Sequence, residues 1–284
     1  MKHAMKIASA LVVTLAAGLL SGAAGAAPGD KNSAKHNKTI IATLSGPLPP
    51  YNFEKEDQTW AGLSSDALAY AADKAGYNVE YRPMAFENEI PALINGRVDV
   101  APGVYVTAER YEKLDYIPLI QTYFGIIMNK SDAAKVKSWA DLCGHKIGMH
   151  YSAVTERTVK EMNEKYCPKD NLAVSAPVSG SIPDILNNMQ HGRVYAALDD
   201  VNMWRAAIQK LPDLAIALDK IGPPIYQPLA FKKGSKLREE LMPYVLEFLR
   251  SDRAEKTSLK YGMGKNVFVS DPDKVMDEIL GAKK

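Results

Sequence analysis

A hydroxyl three residues ahead of a guanidinium can build an anion grip. In Thr107-Ala108-Glu109-Arg110 the threonine can cap a helix and the arginine then lies in its first turn. A helix N-terminus favours negative charge, and a guanidinium can hold a carboxylate through two parallel hydrogen bonds. The spacing alone suits a surface arginine paired with Glu109 or Glu112 better. Farther along, Asp199 and Asp200 follow the short run Tyr195–Leu198. A carboxylate there could hold an ammonium group, or cap a helix that starts at Val201. Tyr51, Phe53, Phe86, Tyr105 and Tyr151 lie in or beside loop-like segments. They suit the wall of a small-molecule pocket, which is mostly apolar with a few polar anchors, and they suit ordinary packing too.

The elements that must position these residues alternate between strand and helix. Lys38 to Leu44 reads as a buried strand. Gly62 to Ala75 reads as a helix that Ser64 or Ser65 can cap and Gly76 can end. A strand near Val79–Tyr81, a helix over Phe86–Ile94 closed by Asn95-Gly96, and a strand over Val98–Ala101 follow. The second half repeats the theme with a strand at Lys146–Met149, helices over Val154–Tyr166 and Pro183–Gln190, and a strand at Tyr195–Leu198. Asn95-Gly96-Arg97-Val98-Asp99-Val100-Ala101 is echoed by His191-Gly192-Arg193-Val194-Tyr195-Ala196-Ala197. Such alternation argues for parallel sheets built from strand–helix–strand units. In open parallel sheets ligands sit beyond the C-terminal ends of strands, where Arg110 and Asp200 fall. Leu237 to Leu280 reads as mostly helical. Chain crossings between two halves are expected near Ile126–Ser131 and near Pro223–Phe231.

The chain has 284 residues, enough for two domains. Its N-terminus reads as an export signal: basic Lys2, His3 and Lys6, an apolar run Ile7–Leu20, and small residues ending at Ala26. The run is shorter than the roughly 20 residues a membrane span needs. Cleavage after Ala26 would remove two of the 35 Lys and Arg and none of the 33 Asp and Glu, leaving 33 against 33. No basic stripe is present, so nucleic acid is not an expected partner. Cys143 and Cys167 are the two cysteines. An even count in an exported chain reads as one disulfide, and two buried free thiols are the alternative. No clustered His or Cys has metal-ligand spacing, and neither metal nor cofactor is expected.

Several segments together carry a family resemblance. They are Pro49-Pro50-Tyr51-Asn52-Phe53, Ala61-Gly62-Leu63-Ser64-Ser65-Asp66, and Ile90-Pro91-Ala92-Leu93 leading to Gly96-Arg97-Val98-Asp99. Thr107-x-x-Arg110 with Leu114-Asp115-Tyr116 follows, then Asp141-Leu142-Cys143-Gly144 with Lys146-Ile147-Gly148, and Gly192-Arg193-Val194 ending at Asp200. In order and spacing the chain resembles the family 3 extracellular solute-binding proteins, periplasmic receptors for polar amino acids that serve ABC importers. The resemblance implies an α/β fold of two lobes, the type II periplasmic-binding-protein fold. Each lobe is a mainly parallel sheet flanked by helices, and two hinge strands join them. Residues 1–26 would be the signal peptide, 27–37 a mobile leader, 38–128 the first part of lobe 1, 129–225 lobe 2, and 226–284 the return to lobe 1.

The resemblance also implies roles. Arg110 would bind the ligand α-carboxylate, helped by backbone N–H groups near Gly103 and Tyr105. Asp200 would bind the α-ammonium. Phe86 and an aromatic of the Leu48–Phe53 loop, with Tyr51 the candidate, would sandwich the side chain. Ser152 and Ala153, beside Tyr151, match the second-lobe loop that caps the carboxylate. Tyr105 stands where a small Ser or Thr is usual, Leu48 where an aromatic is frequent, and Tyr195 where Asp is expected. Tyr151-Ser152-Ala153-Val154 departs from the common Gly-Thr-Thr. These departures bear on the ligand more than on the fold. The expected protein is a monomeric periplasmic receptor without enzymatic activity. It closes on an amino acid or small zwitterion and delivers it to the membrane subunits of an ABC importer. The alternatives are an accessory or sensor protein of the same fold, and a cyclohexadienyl-dehydratase-like enzyme with Glu156 or Glu87 as general acid.

Overall fold

A computed structural model describes residues 36–150, 152–178, 182–264 and 267–281. The expected signal peptide, most of the leader, and Tyr151 lie outside the described residues.

Thr39-Ile40-Ile41-Ala42 is rich in β-branched side chains, which pack well on a pleated surface. It forms β1 (Lys38–Ala42). β2 (Phe53–Glu54) and β3 (Trp60–Ala61) make a short hairpin before α1 (Leu63–Ala75). α1 buries one stripe, Leu63, Ala67, Leu68, Ala71 and Ala72, and ends on Gly76 in the left-handed conformation. Its N-terminus is not capped by Ser64 or Ser65, because both lie inside the first turn. Instead the N–H groups of Leu63 and Ser64 donate to the carbonyls of Pro50 (3.0 Å) and Tyr51 (3.0 Å). Gly62 makes that approach possible. Its φ is 110°, and a Cβ there would run into the Tyr51 carbonyl. The start of α1 thus fixes the place of Tyr51.

β4 (Tyr77–Tyr81) pairs in parallel with β1, Lys38 opposite Tyr77 through Ala42 opposite Tyr81. α2 (Phe86–Ile94) has the expected bounds, and Asn95-Gly96 follows it. β5 (Ala101–Pro102) and α3 (Ala108–Tyr111) come next. Two long strands then organise the molecule. β6 (Leu114–Asn129) runs antiparallel to β10 (Leu214–Lys232) along nearly its whole length. Between them lie α4 (Lys130–Ala133), β7 (Lys146–His150), α5 (Ala153–Tyr166), β8 (Val174–Val178), α6 (Ile182–Gln190), β9 (Ala196–Asp200) and α7 (Val201–Ile208). α8 (Lys236–Leu249), α9 (Asp252–Lys260) and α10 (Pro272–Gly281) complete the chain.

The larger sheet has the order β5-β10-β6-β9-β7-β8. β7 pairs in parallel with β8 and β9. Apart from the β2–β3 hairpin, every antiparallel pair includes β6 or β10. Parallel units flanked by helices therefore stand at both ends of the two long strands, the two-lobed α/β class that the sequence implies. The crossings are longer than expected. Pro223, Pro224 and Pro228 are accommodated because the β10 register shifts near them, between Ile221 and Ile225 and between Gln227 and Pro228. Phe124–Met128, within and just before the first expected crossing, already pair with β9. One continuous core runs from Ile40 and Leu68 through Ile126 to Ile147 and Trp204.

Cys143 and Cys167 form a disulfide with Cα atoms 5.6 Å apart, closing a loop with a sequence separation of 24. The pair ties the end of α5 to the turn before β7. Cys143→Ser should destabilise the oxidised protein by about 3 kcal/mol, mainly by freeing the unfolded chain. Urea unfolding of both proteins without reductant measures it. Equal midpoints would contradict this.

Candidate functional site

Arg110 lies at the C-terminal side of β5, as the sequence suggests. Thr107 is the N-cap of α3, and its Oγ1 accepts the Arg110 N–H at 3.2 Å. Among the described residues the guanidinium donates one hydrogen bond, Nη1 to the Tyr105 carbonyl at 3.0 Å. Its Cζ lies 5.5 Å from the centre of the Phe86 ring, a cation–π distance. No salt bridge occupies it among the described residues. Burial holds its pKa below the usual value. Arg110 and Phe86 are therefore together, and the guanidinium has donors to spare.

Beneath them is a group the sequence reading passed over. Glu89 on α2 is 1% exposed, and its Oε1 has no hydrogen-bond partner among the described residues. Burial raises its carboxyl to about 8, and the Arg110 charge offsets only part of that. The Tyr116 hydroxyl is likewise buried and without a partner there. The signal was present: Glu89 is three residues after Phe86 and four before Leu93, on the buried face of α2.

A carboxyl raised in the fold is protonated at pH values where the unfolded chain has ionised. Its contribution is fully present below about 4.5 and is lost as pH rises through about 8. The loss is on the order of 4 kcal/mol. Glu89→Gln should therefore stabilise the protein relative to wild type at pH 8 and much less at pH 4.5. Urea unfolding across that range tests it. A pH-independent difference would contradict the assignment.

Asp200 ends β9 and is fully buried. Its carboxylate accepts from the Tyr51 hydroxyl (3.0 Å to Oδ1, 2.9 Å to Oδ2), Thr122 Oγ1 (2.9 Å), the Asn202 N–H (2.8 Å) and Gln227 Nε2 (3.1 Å). The bond to Asn202 makes Asp200 the N-cap of α7, the second role its position allowed. Thr122 and Gln227 belong to β6 and β10, so the network sits where the long strands cross. Burial raises Asp200 to about 6 despite these donors. An ammonium could reach this carboxylate only by displacing a protein donor.

Tyr51 is 1% exposed, its ring in the core and its hydroxyl on Asp200. It does not offer an open aromatic face. Tyr105 links Arg110 to the Asp200 network. Its carbonyl receives Arg110, and its hydroxyl accepts from Gln227 Nε2 at 3.1 Å. The Gly103 N–H is committed to the Pro228 carbonyl at 2.9 Å. Ser152 caps α5 through the Thr155 N–H at 3.2 Å, and Ala153 opens that helix. Asp199, beside Asp200, pairs through Oδ2 with His150 Nδ1 at 2.9 Å. Glu87 is exposed and Glu156 half-buried. No cluster of three or more His, Cys, Asp or Glu could hold a metal among the described residues. No helix among them is long and apolar enough to cross a membrane.

Known proteins give this geometry a context. The arginine-binding extracellular protein ArtP of Bacillus subtilis is 25% identical over 241 residues, 83% of this chain and 91% of that protein. A probable amino-acid ABC transporter-binding protein of Haemophilus influenzae is 25% identical over 218 residues, covering 76% and 80%. The structure of an ancestral arginine-binding protein bound to arginine is similar with a TM-score of 0.67 at 25% identity, covering 78% of this chain and 97% of that one. The model of the bacterial extracellular solute-binding proteins, family 3, matches residues 40–264. With two parallel units joined by β6 and β10, and spare guanidinium donors beside the crossing, the chain belongs to the bacterial extracellular solute-binding proteins, family 3.

Proposed function

We propose that this chain is an exported, monomeric receptor that captures a small carboxylate-bearing solute and presents it to the membrane subunits of an ABC importer. The observation that carries the reading is the Arg110 guanidinium. It is half-buried, uses one N–H on Tyr105, and forms no salt bridge among the described residues. A carboxylate would take two of the remaining N–H groups in parallel. Phe86, Tyr105 and the start of α5 at Ser152 and Ala153 would line the site, with Tyr151 the residue before them in sequence. The relatives named for arginine and amino acids support this solute class. Residues 38–128 with 226–284 would form one lobe and 129–225 the other. Solute bound to one would recruit the other, because a ligand shifts such an equilibrium through its extra affinity for the closed state.

The test is thermal unfolding of the refolded mature protein with amino acids, opines, betaines, ectoines and simple carboxylic acids. A ligand at 100 times its Kd adds about 2.7 kcal/mol, a shift of several degrees. One chemical class should give that shift. No shift with any carboxylate-bearing compound would overturn the reading.

A further inference from the structure

Among the described residues Asp200 has a full set of hydrogen-bond donors. An ionised carboxylate offers about four acceptor positions. Thr122, the Asn202 N–H, Gln227 and the Tyr51 hydroxyl supply four donors. The two hydroxyls are kept aimed at the carboxylate, because Asn202 Nδ2 donates into Tyr51 (3.1 Å) and Thr122 (3.2 Å). Asn202 is itself oriented by Arg205 Nη1, which donates to its Oδ1 at 2.8 Å. Gln227 divides its amide hydrogens between Asp200 and the Tyr105 hydroxyl. Asp199 is committed as well, accepting the Asp200 N–H at 2.8 Å on one oxygen and His150 at 2.9 Å on the other.

Around Tyr105 the balance is reversed. Arg110 has donors left over. The Tyr105 hydroxyl already accepts from Gln227, and its own proton has no acceptor among the described residues. The N–H of Tyr105 also makes no hydrogen bond among them. Tyr105 touches Arg110 through its carbonyl and the Asp200 network through its hydroxyl, so one residue spans both sides. What remains unfilled on Arg110 and Tyr105 donates, and the carboxylates of Asp199 and Asp200 are taken.

We propose that the Tyr51 hydroxyl occupies the place at Asp200 that a ligand ammonium would need, so that this receptor selects small carboxylates lacking an ammonium beside the carboxylate. The proposal rests on the reading of Arg110 as the carboxylate anchor of a solute receptor. Tyr51 is the specificity-determining residue. The backbone of Tyr51 is held by the Gly62 approach and the first turn of α1, which places its hydroxyl at Asp200.

The experiment is titration calorimetry of the refolded protein with matched pairs that differ only in the ammonium: L-phenylalanine and 3-phenylpropionate, L-arginine and 5-guanidinopentanoate, L-glutamate and glutarate. In the pair whose side chain fits, the deaminated member should bind at least tenfold more tightly. Tyr51→Phe, which removes the hydroxyl and keeps the ring, should shrink that preference at least tenfold. Tight binding of an amino acid with loss on deamination would overturn the proposal and leave the receptor reading standing. An unchanged preference in Tyr51→Phe would overturn the role of Tyr51. No binding by any of the six would overturn the proposal together with the reading on which it rests.

Discussion

Arg110→Ala should lower solute affinity on the order of 100-fold while moving the unfolding midpoint of the solute-free protein by only a few degrees. A charge-assisted hydrogen bond contributes about 1.5–3 kcal/mol, and a bidentate pair makes two that share one guanidinium. Against that, the Arg110 side chain makes one hydrogen bond among the described residues, to the Tyr105 carbonyl. The cap of α3 survives the change, since Thr107 accepts from the backbone N–H of residue 110. Calorimetric titration and a thermal scan of the same variant measure both quantities. A surface arginine with no binding role predicts unchanged affinity. A structural arginine predicts a collapsed midpoint.

Asp200→Ala should behave in the opposite way and destabilise the solute-free protein by about 3–5 kcal/mol. It strands the Tyr51 and Thr122 hydroxyls, the Asn202 N–H and the Gln227 amide at a fully buried position. Buried donors left without acceptors lose about 1–3 kcal/mol each, with relaxation recovering part. Asp200→Asn keeps one acceptor oxygen and should lose less. Urea unfolding without solute gives the comparison. Were Asp200 only an anchor waiting for an ammonium, its removal would leave the empty protein as stable as wild type.

Much of the fold was legible because its signals are local. Thr107 as a cap, Phe86–Ile94 as a helix, and Gly76 as a stop each need only neighbouring residues. That Arg110 and Phe86 share one site was implied by the family resemblance and not by their spacing, and the structure sets them 5.5 Å apart. The long strands were hidden because Pro118, Pro223, Pro224 and Pro228 break the pattern of a strand, and only the register shifts between β6 and β10 accommodate them. Ser64 and Ser65 have the chemistry of caps, yet the carbonyls of Pro50 and Tyr51 reach the helix first. The enclosure of Asp200 was least legible. Its partner Tyr51 is 149 residues away, and nothing near either residue announces the other. Glu89 was visible on the apolar face of α2, but an acidic residue in an otherwise polar first turn reads as a solvated one.

The most direct measurement is the mass spectrum of small molecules released by acid from protein purified gently from its exported form. Wild-type protein should release about one carboxylate-bearing molecule per chain, and Arg110→Ala purified in the same way should release none. An equal yield from both, or no small molecule from wild type under conditions that retain micromolar ligands, would contradict it.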